Sequence, residues 1–322
     1  MKHFSTVSTL TTHSIRQSAR QSAGRASILL KERHPLRLHV ALAALMYLGA
    51  ARLAAGGGDA IEFIFSRGAA AGIGSIFCLF LIYRLSDELK DMASDRALFP
   101  DRPLPSGRVL PFDALGMMGL AIAAVIALNA HRGPALLAAL LVVGYILVLH
   151  FYLFIPRILL ARPVLNLAFH NPVFAAIAFY AATAATVLND RPLGGLDPSL
   201  VGLFVLSTWL PFLSWELLRK AAGGRTQPAY DVYAPVLGRH GSLFIAATAQ
   251  TLALVMFVVL ATRLGLPAAT ASLPLLGYVY AGSGYASFLW ASRRGANRLK
   301  HGAEVFLACL PGGLGLGFIF LP

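Results

Sequence analysis

The sequence predicts an all-α membrane protein whose bundle contains about nine transmembrane helices. Two observations support this fold class. The 322 residues are 57% hydrophobic and only 13% charged, whereas soluble domains contain about 25% charged residues. Apolar stretches long enough to span a bilayer, about 20 residues each, also recur along the whole chain. We predict spans at residues 37–55, 62–84, 111–130, 134–154, 164–188, 198–217, 242–262, 267–290 and 302–321.

The basic residues predict how these helices cross the membrane. With the N-terminus in the cytoplasm, the predicted cytoplasmic segments carry 22 of the 27 Lys and Arg residues. Cytoplasmic loops are enriched in Lys and Arg, so the bias supports this orientation. It also explains the net charge of +13 without nucleic acid as a partner. We therefore expect an integral protein of the lipid bilayer, in the inner membrane if the source is bacterial.

The chain is predicted to form an N-terminal tail and one transmembrane domain. Residues 1–34 are rich in Ser, Thr and Arg, which predicts a basic, disordered tail lying on anionic headgroups. A targeting peptide is the alternative. Residues 35–322 form the transmembrane domain. Cys78 and Cys309 lie in apolar segments and give no sign of a disulfide framework or a zinc site.

A dense acidic segment follows the second predicted span. Asp87, Asp91 and Asp95 are spaced at i, i+4 and i+8, so on a helix their carboxylates form one stripe. Carboxylates at this spacing repel one another, and Lys90 alone cannot balance three of them. A Mg²⁺ ion can, because it binds carboxylate oxygens and bridges to phosphates. A solvated helix end is the alternative interpretation.

Two arginines enclose the turn that comes next, in the sequence RPLPSGR from Arg102 to Arg108. Guanidinium groups bind phosphate oxygens, so carboxylates and arginines together favour a metal–diphosphate site. The spacing of Asp87, Asp91 and Asp95, followed by this turn, resembles the first aspartate-rich motif of the UbiA superfamily of intramembrane prenyltransferases. The first position of that motif is more often Asn, so Asp87 is a mild departure.

The resemblance covers residues 35–322 and implies a fold, a cofactor and a reaction. Members of that superfamily form nine-helix bundles with acidic loops after the second and sixth spans. The resemblance implies that aspartate-bound Mg²⁺ holds the diphosphate of an allylic isoprenoid, and that a lipophilic acceptor captures the allylic cation. It assigns catalytic and metal-binding roles to Asp87, Asp91 and Asp95, and diphosphate binding to Lys90, Arg102 and Arg108.

The second motif of the superfamily is altered in this chain, because residues 214–241 contain no Asp-xxx-Asp pattern. Glu216 stands at the position of the first carboxylate, and Arg219 follows one turn later. The segment resembles a less characterised branch in which Glu-x-x-Arg-Lys and a downstream acid and tyrosine replace the motif. A purely structural ion pair between Glu216 and Arg219 is the alternative. We expect Glu216, also a catalytic candidate, and Asp231 as metal ligands, and Arg219, Lys220, Tyr230 and Tyr233 as diphosphate ligands.

The fifth predicted span carries polar side chains in an otherwise apolar helix. Asn166 and His170 are four residues apart and share a face, and polar groups at membrane depth often mark function. His170 is a catalytic candidate as the base for the acceptor's proton, with interhelical hydrogen bonding as the alternative. Pro172 predicts that the preceding residue bends away from helical geometry and opens a pocket. Candidates to line an isoprenoid channel are Phe169, Phe174, Phe179, Tyr180, Phe212 and Trp215.

The predicted function is therefore a Mg²⁺-dependent intramembrane prenyltransferase, which moves an isoprenyl group from an allylic diphosphate to an aromatic or other lipophilic acceptor. A terpene cyclase of the same superfamily, which needs no acceptor, is one alternative. A transporter or lipid-binding protein is another, but the third to eighth spans carry no deep acid apart from Glu216. The diphosphate site is expected on the cytoplasmic side, together with the N-terminus.

Overall fold

The computed structural model describes residues 20–56, 61–225, 227–290 and 293–320. Within these ranges the regular structure is helical and contains no strand, which confirms the all-α prediction. Short 3₁₀ turns join some of the helices. The helices are α1 (20–33), α2 (Leu36–Ala55), α3 (Ile61–Ile64), α4 (Arg67–Lys90), α5 (Met92–Leu98), α6 (Pro111–Asn129), α7 (Gly133–His150), α8 (Pro156–Ala161), α9 (Pro163–His170), α10 (Val173–Val187), α11 (Pro198–Gly224), α12 (Ala234–Arg263), α13 (Ser272–Trp290) and α14 (Arg293–Phe320).

Seven segments of the described chain are long and apolar enough to cross a membrane, namely α2, α4, α6, α7, the pair α9–α10, α11 and α12. The protein is therefore an integral membrane protein, but the predicted count of nine spans is not confirmed. Helices α13 and α14 have the length of a span, with 19 and 28 residues.

The predicted helix ends differ from the observed ones at the places that matter for the site. Helix α4 continues six residues beyond its predicted end, as far as Lys90. The fifth span is interrupted between His170 and Val173, as Pro172 predicted. Asn171, however, keeps right-handed helical dihedrals of φ −68° and ψ −31°, so the prediction of a bend at this residue was wrong. The interruption lies in the turn at Asn171 and Pro172.

The predicted disordered tail is only partly within the described residues, because residues 1–19 lie outside them. Residues 20–33 form helix α1, so this part of the predicted disordered tail is helical. Leu29 is buried in the core. Arg25 donates two hydrogen bonds to the carboxylate of Asp113 in α6, from Nε at 2.5 Å and from Nη2 at 3.0 Å. Apolar and ionic contacts together hold α1 against the bundle.

The core is built around α4, which contacts α2, α6, α7 and α10. Gly72 of α4 lies directly against the ring of Tyr47, since a Cβ there would be 2.3 Å from the ring. Asn129 of α6 donates a hydrogen bond to Ser75 of α4 at 2.9 Å and accepts one from the Tyr180 hydroxyl of α10 at 3.0 Å. Small residues and satisfied polar groups are how membrane helices associate closely.

Helices α13 and α14 pack as a close antiparallel pair through glycine. A Cβ on Gly284 would lie 2.9 Å from the backbone oxygen of Arg298, and one on Gly302 would lie 2.9 Å from the Cα of Ala281. Gly282 has no heavy atom within 4 Å of such a Cβ. The close contact is therefore confined to one face of α13.

We expect the substitution Gly284→Ala to destabilise the protein, because the added methyl group overlaps backbone atoms of α14 that cannot rotate away. Overpacking of this kind costs about 1–3 kcal/mol. Gly282→Ala is the matched control and should cause no loss, since Ala favours helix over Gly. Thermal unfolding in detergent measures both, and equal unfolding temperatures for the two variants would contradict the packing described for this pair.

Candidate active site

A cavity of about 300 Å³ lies at one end of the bundle, where α4, α5, α9 and α11 meet. Its lining is strongly charged, with acids and bases in nearly equal number. Most of these side chains come from the last turns of α4 and α11 and from the segments that follow them. The acids are Asp87, Glu88, Asp91, Asp95 and Glu216, and the bases are Arg33, Arg84, Lys90, Arg102, Arg219 and Lys220.

The three predicted aspartates reach this cavity as one stripe. Helix α4 ends at Lys90, and Asp91 forms the junction to α5 with φ −89° and ψ 2°. The junction keeps helical spacing, because the amide of Asp91 donates to the carbonyl of Asp87 at 2.9 Å and the amide of Asp95 donates to that of Asp91 at 2.8 Å. The sequence spacing therefore survives the break between the helices.

Two carboxylates of the stripe are neutralised by partners in the cavity. Asp87 Oδ1 lies 3.0 Å from Lys90 Nζ and 3.1 Å from His170 Nε2. Asp95 Oδ2 accepts a hydrogen bond of 2.6 Å from Arg102 Nη1. Paired in this way, buried carboxylates avoid most of the cost of losing water.

Asp91 differs from its neighbours, because it makes no ion pair with any residue that the structure describes. The Tyr152 hydroxyl donates to its Oδ1 at 3.3 Å. Burial and the nearby charge of Asp87 raise the pKa of Asp91 to about 6. A cation that approaches such a carboxylate stabilises its ionised form.

Glu88 also lines the cavity, although its sequence position predicted no role. It lies 2.5 Å from Arg84 Nη2 and 2.7 Å from Arg33 Nε. The i, i+4 spacing of Arg84 and Glu88 is a readable signal for their pairing. Nothing in the sequence signals Arg33, because it comes from α1, which was expected to be part of a disordered tail. The lining also includes Tyr83 and Tyr152.

The altered second motif faces the same cavity as the aspartates. Glu216 Oε2 accepts hydrogen bonds from Arg219, from Nη2 at 2.6 Å and from Nε at 3.1 Å, so the predicted structural pair is present. Arg219 also donates to the Tyr230 hydroxyl. Lys220 Nζ lies 4.2 Å from the centre of the Tyr230 ring. Tyr233 completes this side of the lining.

Asp231, predicted as a metal ligand, does not line the cavity. Its Oδ1 accepts hydrogen bonds from the backbone amides of Tyr233 at 3.2 Å and Ala234 at 3.1 Å. These are free amides at the start of α12, so the carboxylate caps that helix. Gly238, with φ 68° and ψ 157°, interrupts α12, so the turn that Asp231 caps lies ahead of the break and of the predicted start at residue 242. The sequence therefore did not indicate a capping role.

Arg108, predicted as a diphosphate ligand, is also outside the cavity lining. Its two terminal nitrogens donate to the carboxylate of Glu32 at 2.6 and 2.9 Å, and Nη2 also donates to the backbone oxygen of Asp101 at 2.6 Å. The side chain is 42% exposed. Arg108 therefore connects the loop before α6 to helix α1.

His170, at the end of α9, lies inside the polar network of the cavity. Its ring nitrogens lie 3.3 Å from the Tyr83 hydroxyl, and Nε2 lies 3.3 Å from Lys90 Nζ and 3.1 Å from Asp87 Oδ1. Asn166 lines the cavity one turn earlier. The face predicted from their spacing is therefore turned toward the charged groups.

Three phenylalanines, of which Phe174 alone lines the cavity, pack together beside it, and we call them the aromatic floor. Phe174 lines the cavity and stacks on Phe212, with ring centres 4.0 Å apart. Phe80 lies 6.3 Å from Phe174 and 6.0 Å from Phe212. Phe174 lies one turn from His170, Phe212 lies one turn from Glu216, and Phe80 lies two turns from Asp87. In each pair the ring is the deeper of the two in the bundle. The other aromatic candidates do not line the cavity, namely Phe169, Phe179, Tyr180, Phe212 and Trp215.

The carboxylates do not form a closed metal centre. Among the described residues, no three His, Cys, Asp or Glu side chains lie close enough to hold a metal ion together. Magnesium, however, is commonly held by one or two carboxylates, with waters and substrate phosphates as its other ligands. The stripe that contains Asp91 therefore suits an ion that is shared with a phosphorylated ligand.

Comparison with solved structures identifies the fold. The apo structure of a UbiA homolog from Aeropyrum pernix K1 is 22% identical, with a TM-score of 0.62 over 87% of this chain and 96% of that chain. A digeranylgeranylglyceryl phosphate synthase is 13% identical, with a TM-score of 0.60 over 92% of this chain and 99% of that chain. No family model and no curated protein matches the chain. The predicted UbiA-like fold is confirmed.

We expect Asp231→Ala to lower the stability of the protein by about 1 kcal/mol, because the first amides of α12 lose their acceptor. Asp231→Ser should retain most of the stability, since a serine hydroxyl can accept from the same amides. Thermal unfolding in detergent distinguishes the two variants. If Ser were as destabilising as Ala, the capping role would be wrong.

Proposed function

We propose that this protein is a Mg²⁺-dependent intramembrane prenyltransferase that uses an allylic isoprenoid diphosphate. The observation that carries the proposal is the direct contact between a charged cavity and a buried aromatic floor at one end of the bundle. An isoprenoid diphosphate has the same two parts, an anionic head and an apolar tail. The two similar structures, a UbiA homolog and a prenyl-lipid phosphate synthase, support the same reaction class.

The charge of the cavity supports a metal cofactor. Five acids and six bases line it, so the lining has a formal charge of +1 with His170 neutral. A diphosphate carries more than one negative charge, which the lining alone does not balance. Mg²⁺, bound by Asp91 with Asp87 or Asp95, would supply the missing positive charge and stabilise the leaving diphosphate as a Lewis acid. Glu216 is a further candidate ligand on the opposite wall.

The bases of the cavity have their own role in binding the diphosphate. Lys220 makes no ion pair with the described residues and faces the cavity beside Arg219, so it is free to bind a phosphate oxygen. Lys90 and Arg102, already paired with aspartates, would share their remaining N–H groups with the ligand. Charge-assisted hydrogen bonds from these groups, and from the hydroxyls of Tyr230 and Tyr233, would stabilise the charge that develops when the C–O bond breaks.

The aromatic floor would receive the isoprenyl group. Phe174 and Tyr83 line the cavity beside the aspartates, so their ring faces are available to an allylic cation, which aromatic rings attract. His170 lies between this apolar surface and Asp87. It is placed to accept the proton that an acceptor loses when the new bond forms. The acceptor is proposed to be an aromatic or other lipophilic molecule that enters from the bilayer.

The cavity and the N-terminus are proposed to face the cytoplasm. The loops at this end of the bundle carry most of the Lys and Arg residues, which follows the positive-inside rule. This placement keeps the diphosphate in water while the isoprenyl tail remains in the apolar interior. Protease accessibility of a tag placed at the N-terminus, in sealed right-side-out and inverted vesicles, tests the orientation.

We expect Asp91→Asn to reduce Mg²⁺-dependent diphosphate release from allylic diphosphates by at least about 10²-fold, since an amide does not replace the anionic ligand of the metal. Glu304→Gln, which removes an acid of α14 outside the cavity, should leave the rate unchanged. The assay uses C10 to C20 allylic diphosphates with and without membrane extract.

The outcomes of this assay separate the candidate reactions. Release that requires the extract indicates a transferase whose acceptor is in the extract. Release without any acceptor, giving a hydrocarbon or alcohol, indicates a cyclase. Unchanged release by Asp91→Asn would contradict the role of that residue. The absence of release by the wild type under every condition would contradict the proposed function.

The aromatic floor leads to an expectation for chain length. Phe212→Ala removes the ring on which Phe174 stacks, so the Phe174 ring gains space to move away from the cavity and make it deeper. The ratio of kcat/KM for the C20 diphosphate to that for the C10 diphosphate should then rise about tenfold, the size of a modest change in apolar contact. Phe179→Ala, at a ring that is 52% exposed, is the control. An unchanged ratio in Phe212→Ala would show that the tail does not approach the floor.

A further inference from the structure

We propose that Arg33 of helix α1 binds the diphosphate, so that a helix outside the membrane-spanning segments completes the site. The inference rests on the proposed function, because the ligand is the diphosphate assigned there. It adds a residue that neither aspartate-rich segment supplies. Four features of the described residues carry it, namely the anchoring of α1, the free donors of Arg33, a surplus of positive charge, and its position at the mouth of the cavity.

Helix α1 is fixed against the bundle by contacts that do not involve the cavity. Arg25 binds the carboxylate of Asp113 at the start of α6. Glu32 binds Arg108 in the loop before α6 through two hydrogen bonds. Leu29 is only 1% exposed. Because α1 is held at both ends, the residue that follows Glu32 has a defined position and does not need a ligand to order it.

Arg33 has donors that the protein does not use. Its Nε donates to Glu88 Oε1 at 2.7 Å, and this is its only side-chain hydrogen bond within the described part of the chain. A guanidinium carries five N–H donors in a planar fork. The two terminal nitrogens are therefore available to phosphate oxygens, whose geometry matches that fork. The side chain is 19% exposed, so it reaches the solvent of the cavity.

Two guanidinium groups share the single carboxylate of Glu88, and this leaves one positive charge without a partner. Arg84 Nη2 approaches the same oxygen, Oε1, at 2.5 Å. Like charges at this spacing repel, and an anion placed between them relieves the repulsion. Because Arg84 remains when Arg33 is replaced, Glu88 keeps one cationic partner. The role of Arg33 can therefore be tested without leaving a buried carboxylate unpaired.

Arg33 stands at the boundary between the charged cavity and a second cavity of about 320 Å³. The second cavity is formed by Glu32 and the segment 98–103, and it shares Arg33, Leu98, Phe99 and Arg102 with the first. Arg33 can bind a diphosphate of the charged cavity from this shared wall.

The test measures the affinity of full-length protein in detergent for inorganic diphosphate with Mg²⁺, by calorimetry, together with KM for the C10 allylic diphosphate. Arg33→Gln is expected to lower the affinity for diphosphate and to raise KM, each by about tenfold or more, which is the effect of losing hydrogen bonds to a charged group. Arg33→Lys should lie between this variant and the wild type, because it keeps the charge but not the fork. Lys31→Gln is the control, since it removes an exposed positive charge of the same helix outside both cavities, and it should bind normally.

Three results would overturn the inference. Unchanged affinity in Arg33→Gln would show that Arg33 does not contact the ligand. Equal losses in Arg33→Gln and Lys31→Gln would show that the loss comes from the charge of α1 and not from contact with the ligand. If Arg33→Gln fails to fold, Arg33→Lys is compared with Lys31→Gln, and equal affinities would show that Arg33 does not contact the ligand. A wild type that binds no diphosphate would instead contradict the proposed function, and the inference with it.

Discussion

The carboxylate of Asp91, enclosed in the protein without a cationic partner among the described residues, is the constraint on which the site depends. A buried charge is costly unless it is paired, and every other acid of the cavity has a Lys, Arg or His within 3.1 Å. Asp91 lies at the junction of α4 and α5, where the backbone hydrogen bonds on both sides hold its Cα in line with Asp87 and Asp95. Under the proposed function, a cation bound with the diphosphate would supply the partner that Asp91 lacks, and the bases around it would bind the anion.

The bundle can hold a charged cavity beside apolar rings because the polarity of its helices changes along their length and not around their circumference. Within the bilayer a buried membrane helix is apolar on all sides, so an amphipathic face cannot build the site. Instead α4 carries Phe80 and then Asp87, and α11 carries Phe212 and then Glu216, each in the order from the middle of the membrane to its surface. Phe80 and Phe212 meet with ring centres 6.0 Å apart, and the charged ends of the same two helices line one cavity.

The sequence predicted the parts of the site that depend on local spacing. The stripe from Asp87 to Asp95 and the pair Glu216–Arg219 follow from positions three or four residues apart, and the structure brings both into one cavity. Arg33 could not be predicted, because its approach depends on α1 folding against α6, about 80 residues later in the chain. The position of Asp231 outside the cavity could not be predicted, because the sequence does not distinguish a carboxylate that binds a metal from one that caps a helix.

The most direct test of the central claim is calorimetric binding of a non-reactive C10 thiolodiphosphate to the purified protein, with and without Mg²⁺. The account predicts that binding is strong with Mg²⁺ and at least about tenfold weaker when the metal is removed, since the lining alone does not balance the charge of the ligand. Equal affinity in both conditions would contradict it, because the cavity would then bind the diphosphate without a metal and Asp91 would have no partner to bind.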